Sequence, residues 1–168
     1  MSEQLNAAAT AAAKQRYDAP IYDVLTQAWG GEMIHMGMFE DDDEPLEAGM
    51  ARSTRCLAEA AELGPDMMVA EVACGVAGAA RHLAKTYDCK VRASNISEAQ
   101  LARAQELTEA EGLTDRVTVE YGDFHDLPYE DGSMDCWWSQ DSLYHGGDRL
   151  RVLTEAYRVL KPGGRLAL

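Results

Sequence analysis

Residues 67–78, MMVAEVACGVAG, constrain the fold of this chain more than any other stretch. An apolar run carries an acid, Glu71, next to its end and then breaks into a turn of glycines and alanines. AARHLAKTY follows with the composition of a helix. The sequence therefore predicts strand, tight turn, helix. Such a turn at the carboxyl edge of a parallel sheet lets main-chain N–H groups and a helix N-terminus come close to a ligand, although Gly75 and Gly78 equally suit a packing turn in any βα unit.

The residues around it repeat the pattern. A helix over 45–63 is closed by Gly64-Pro65; then come a strand at 67–72, a helix at 78–87, a strand at 90–94 and a helix at 97–111, opened by a capping box in Ser97 and Gln100. Strands at 117–121 and 134–139, a helix at 149–160 and the opening of a strand at 165 complete it. Helical segments between strands imply right-handed βαβ units, hence an α/β fold with a parallel sheet covered on both faces. Trp137 and Trp138 alternate across the fourth strand, which predicts one in the core and one at a pocket mouth. Upstream, residues 3–16 are Ala-rich and helix-prone with Leu5 as their large apolar anchor. A helix over 20–29 is expected to present Ile21, Tyr22, Leu25 and Trp29 on one face, and the acidic run 40–44 reads as a loop. Residues 1–44 are thus expected to form a helical lid and 45–168 a Rossmann-like domain, which breaks off inside its fifth strand and reads as incomplete at the C-terminus.

Charge narrows the partners. A net charge of -14 repels polyanions, so nucleic acid and anionic lipid are poor partners; the acidity either solvates the surface or attracts a cationic ligand. Cys56, Cys74, Cys89 and Cys136 form no C-x-x-C, and no histidine stands at metal-ligand spacing, so no metal is expected and the thiols read as reduced. No apolar run approaches the ~18 residues of a membrane span and no signal peptide opens the chain, which predicts a cytoplasmic protein.

The sheet edge suits a nucleotide-type cofactor. A nicotinamide site would want G-x-G-x-x-G and an acid ending the second strand; this chain has Ala73 to Gly78 and Asn95. Asp123, after the third strand, either accepts from an exocyclic amine with Phe124 as an apolar surface for the ring, or is a turn former before His125.

EVACGVAG, the GDF after strand three, LPYEDGSMD before strand four and RVLKPGGRL before strand five together resemble the motif series of class I S-adenosylmethionine-dependent methyltransferases. The resemblance implies S-adenosylmethionine as cofactor. It implies Glu71, Ala73 and Gly75 around the methionine portion, Asn95 at the ribose, and Asp123 with Phe124 at adenine, with Gln100 and Ser139 as further contacts. Alanine stands for glycine at 73 and 77, and Asn95 for the usual carboxylate.

TQAWGGEMIHMGMF, CKVRASNISEAQ and WSQDSLYH are similar to the sarcosine and dimethylglycine N-methyltransferases of glycine betaine synthesis and, more distantly, to the phosphobase methyltransferases. The implied acceptor is a small amine or amino acid. In the phosphobase enzymes a tyrosine and a histidine latch over the site beside an aspartate; the matching positions are Tyr17, His145 and Asp141. By themselves these are also a junction aromatic, a loop histidine before Gly146-Gly147 and a strand-end acid able to bind a backbone donor. An activated methyl needs alignment and exclusion of water, and an amine must lose its proton, which His145, or a water held by Tyr17 and Asp141, is placed to take. An acceptor carboxylate would want an Arg or Lys that the sequence does not single out. Another small acceptor (phosphoethanolamine, a phenol, a lipid head group) and a non-catalytic cofactor-binding module are the alternatives.

Overall fold

The structure, a computed structural model, describes residues 2–19, 24, 28 and 31–168. Five strands, β1 (Met68–Val72), β2 (Lys90–Asn95), β3 (Val117–Tyr121), β4 (Met134–Trp138) and β5 (Leu160–Ala167), form one parallel sheet in the order β3-β2-β1-β4-β5. The helices are α1 (Ser2–Tyr17), α2 (Leu46–Ala60), α3 (Gly78–Tyr87), α4 (Glu98–Ala110) and α5 (Arg149–Val159), with a 3-10 turn at Leu143–His145. The order reverses between β1 and β4, the switch point outside which ligands bind in such sheets.

Period-two alternation divides the core. On one face Val69, Val91 and Trp138 pack with Ala58 of α2, Leu83 of α3 and Ala104 of α4. On the other, Ala70, Val72 and Trp137 pack with Val152, Ala156 and Val159 of α5 and with Tyr129. Both tryptophans are fully buried, so neither reaches a pocket mouth: a sheet covered on both faces offers a central strand no wet side. Among the described residues no helix is long and apolar enough to cross a membrane.

Three local expectations change. The fifth strand starts at Leu160, paired with Met134, and rejoins the ladder at Arg165 opposite Cys136; the KPGG segment is a bulge with Gly163 left-handed at φ 82°. Leu5 does not anchor α1, because its side chain is 54% exposed. The helix is held by polar contacts and by the bare Gly147, where an added Cβ would come within 3.0 Å of Leu5 O and Ala9 Cβ. Ser97 Oγ caps α4 by accepting from Gln100 N at 3.2 Å, but the Gln100 side chain turns to Asn95 instead of closing the box. The helix expected over 20–29, with Tyr22 and Trp29, lies outside the described residues except at Val24 and Ala28, both helical.

Candidate functional site

A cavity of about 520 Å³ opens at the carboxyl tips of β1 and β4, roofed by residues 32–36 and the end of α1. Its floor is the β1–α3 turn. There Ala73, Gly75 and Ala77 all take left-handed backbone, at φ 53°, 58° and 57°. For each alanine this costs roughly 1 kcal/mol, the kind of strain that persists where a functional turn demands it.

Glu71 lines this floor, buried, with Oε2 lacking any hydrogen-bond partner among the described residues. Burial pushes its carboxyl up to about 8, against the opposing pull of the Ala80 backbone and of Arg81. A buried carboxyl with one oxygen unpartnered among the described residues under this turn can accept from a cationic group, whose arrival would favour its ionised form.

Asn95 and Gln100 both line the wall, but Asn95 is spent inside the protein. Its Nδ2 donates to Gly75 O at 3.2 Å and to Gln100 Oε1 at 2.8 Å, and its Oδ1 accepts from Ile96 N at 2.8 Å. A carboxylate there could not donate to Gly75 O. Asparagine ties the turn to the end of β2, and Gln100 carries the amide pair toward the cavity.

The opposite wall holds Arg16, Tyr17, Asp141 and His145. Tyr17 Oη and His145 Nε2 are 2.5 Å apart, with the rings edge to face, and Tyr144 leans on the imidazole at 4.1 Å between centroids. Burial, then Arg16, lowers the His145 pKa, so the imidazole is neutral at pH 7. Asp141, left-handed at φ 50°, spends Oδ2 on Met36 N at 2.5 Å, fastening the roof and not His145. Arg16 is the one Lys or Arg on the wall among the described residues.

Three expected contacts are not on the wall. The Asp123 carboxylate accepts from Thr10 Oγ1 at 2.7 Å and meets His125 Nδ1 at 2.7 Å, because α1 lies across this edge of the sheet. Phe124 packs against the α5 face of the core, and buried Ser139 bonds to Ser142 beneath the wall. Thr10, Arg16, Arg81 and Thr54, whose hydroxyl meets His35 Nε2 (3.0 Å) and Gln140 Oε1 (3.1 Å), escaped the sequence reading. Thr10 meets Asp123 across 113 residues, Thr54 meets His35 across 19 and Arg81 meets Glu32 across 49, so no local pattern marks these pairs.

A parallel sheet ordered 3-2-1-4-5, with an acid-bearing glycine turn at its switch point, defines a Rossmann-like cofactor-binding domain. Comparison with known proteins gives the family: the model of the methyltransferase domain matches residues 70–168. The chain is 43% identical to the sarcosine/dimethylglycine N-methyltransferase of Halorhodospira halochloris over 81% of this chain and 49% of that protein. It is 40% identical to the 27-O-demethylrifamycin SV methyltransferase of Amycolatopsis mediterranei over 90% of this chain and 55% of that one. It superposes on the crystal structure of the (4+2) cyclase SpnF with a TM-score of 0.86 and 31% identity, covering 92% of this chain and 57% of that one. The chain belongs to the class I S-adenosylmethionine-dependent methyltransferases. It spans about half the length of the relatives it matches.

Proposed function

We propose that this protein is an S-adenosylmethionine-dependent N-methyltransferase of a small amine or amino acid such as sarcosine or dimethylglycine, working in the cytoplasm. One observation carries the reading: the same cavity has on its floor a buried acid, Glu71, with one oxygen lacking a partner among the described residues, and on its opposite wall a neutral imidazole, His145. The names of the relatives support the acceptor class.

S-adenosylmethionine, when bound, supplies a methyl group already activated by its sulfonium. Glu71 would receive the ammonium of the methionine end, ionising and releasing its proton to solvent. Ala73 and Gly75 would hold the loop around that end, and Gln100, steadied by Asn95, would meet the ribose. Asp123, once the Thr10 hydroxyl gives way, and Phe124 would serve adenine. At the other end Arg16 pairs with the acceptor carboxylate. With Nε2 unprotonated, His145 accepts the Tyr17 hydroxyl hydrogen, so the Tyr17 oxygen is free to take the proton of the acceptor amine and pass its own to His145. Asp141 holds the roof that keeps water out.

Titration with S-adenosylhomocysteine, followed by assay with glycine, sarcosine, dimethylglycine and dimethylaminoethanol, tests this. Arg16→Met is expected to raise KM for the carboxylate acceptors about tenfold or more and to leave dimethylaminoethanol unchanged. A second reading, a hydroxyl acceptor, is favoured by the rifamycin relative and would use the same Tyr17–His145 pair. Methylation of a phenol or alcohol in preference to every amine, with no effect of Arg16→Met, would select it.

A further inference from the structure

Arg81 belongs to none of the roles above, yet among the described residues its guanidinium makes three polar contacts beside the cavity floor. It lies on the first turn of α3 and is 2% exposed. Its Nη1 donates to Val76 O in the glycine turn at 2.6 Å, its Nε to Glu111 Oε1 at the end of α4 at 3.1 Å, and its Nη2 forms an ion pair with Glu32. Burying a guanidinium is unfavourable by several kcal/mol unless such partners surround it. The pair with Glu32 joins residues 49 positions apart, so it contributes nothing to the local geometry of α3.

Glu32 is also held by its backbone. A Cβ added at Gly78 would come 2.5 Å from Glu32 O and 2.7 Å from Glu32 C, so the roof segment rests directly on the start of α3, and only glycine admits it. From Glu32 the chain runs through Met33, Ile34, His35 and Met36 along the cavity wall and ends on Asp141. The 32–36 segment is thus pinned to the cofactor turn at one end and to the acceptor wall at the other.

We propose that Arg81 is a positioning residue that clamps residues 32–36 onto the glycine-rich turn, so that the roof over the acceptor assembles only when that turn is in its ligand-binding form. The inference rests on the reading above that this cavity holds S-adenosylmethionine. It assigns Glu32 as the latch of the roof.

Hydrogen exchange on the intact protein, with and without S-adenosylhomocysteine, tests it. Glu32→Gln is expected to speed exchange at the amides of 33–36 about tenfold and to raise the Kd for S-adenosylhomocysteine about fivefold or more. Glu111→Gln removes a carboxylate from the same guanidinium on the side away from the roof, and is expected to change either quantity less than about twofold. Arg81→Lys, a single point charge in place of a fork, is expected to behave as Glu32→Gln. Equal effects of Glu32→Gln and Glu111→Gln would reduce Arg81 to a general structural pair and overturn the clamp, as would native exchange at 33–36 in Glu32→Gln. If the unaltered chain does not bind S-adenosylhomocysteine, the proposed reaction fails, and the clamp is judged by exchange in the ligand-free protein alone.

Discussion

Glu71 shows how one side chain links binding to stability. Its acid is raised from 4.5 to about 8 by burial, so the folded protein holds a proton that the unfolded chain gives up at lower pH. Below about 4.5 both states carry the proton and folding is not penalised. As the pH rises from there to about 8 only the unfolded chain ionises and stability falls; above about 8 the loss is complete, about 5 kcal/mol at most. Glu71→Gln removes the titration. In thermal melts the variant is expected to match the parent near pH 4.5 and to exceed it increasingly toward pH 8.5, while losing affinity for S-adenosylhomocysteine. Melting temperatures separated by the same amount at both pH values would contradict this account of Glu71. The sequence picked out Glu71 from its place one residue before a strand end. It did not disclose that Oε2 lacks a partner, because that depends on Arg81 turning to Glu32, Glu111 and Val76 instead.

Among the elements, α1 is the one whose role changed most between sequence and structure. An Ala-rich segment with a single large apolar residue has little hydrophobic reason to dock, and Leu5 indeed stays in water. The helix is held by Thr10 on Asp123, by Lys14 Nζ on Ile96 O at 3.2 Å and, just past its end, by Asp18, which accepts from Ser97 Oγ at 2.5 Å. Every one of these contacts falls on the tips of β2 and β3, where adenine and ribose are expected to sit. If Asp123 serves adenine as proposed, Thr10 and adenine compete for one carboxylate. Thr10→Val, which keeps the shape and removes the donor, is expected to tighten S-adenosylhomocysteine binding by roughly threefold to tenfold, the net worth of an ordinary hydrogen bond. Calorimetry measures this directly, and weaker binding by the variant would show that α1 and adenine do not share Asp123. Strands and central helices, by contrast, were legible to within a residue or two. The exception is β5, where the helix-breaking KPGG run concealed a strand that had begun at Leu160.

For the whole molecule, the net charge of -14 is the dominant long-range force. Like charge at this density opposes compaction, and raising the salt from about 0.1 M to 1 M shortens the screening length from about 10 Å to 3 Å. Melting temperature is expected to rise with sodium chloride over that range; a fall would mean that the native ion pairs, such as Arg52–Glu44 and Arg158–Glu155, outweigh the general repulsion. The sequence by itself determined the α/β class, the parallel order of strand and helix, the glycine turn and the cofactor family, since each is written in residues a few positions apart whose periodicity and turn chemistry act locally. Only the tertiary structure decided which polar groups face the cavity. It withdrew Asp123 behind Thr10, spent Asn95 and Asp141 on backbone, buried both Trp137 and Trp138, and brought Arg81 to Glu32. A hydrogen bond or ion pair is satisfied by whichever partner the packing delivers within 3 Å or so, and no local pattern encodes a partner a hundred residues away.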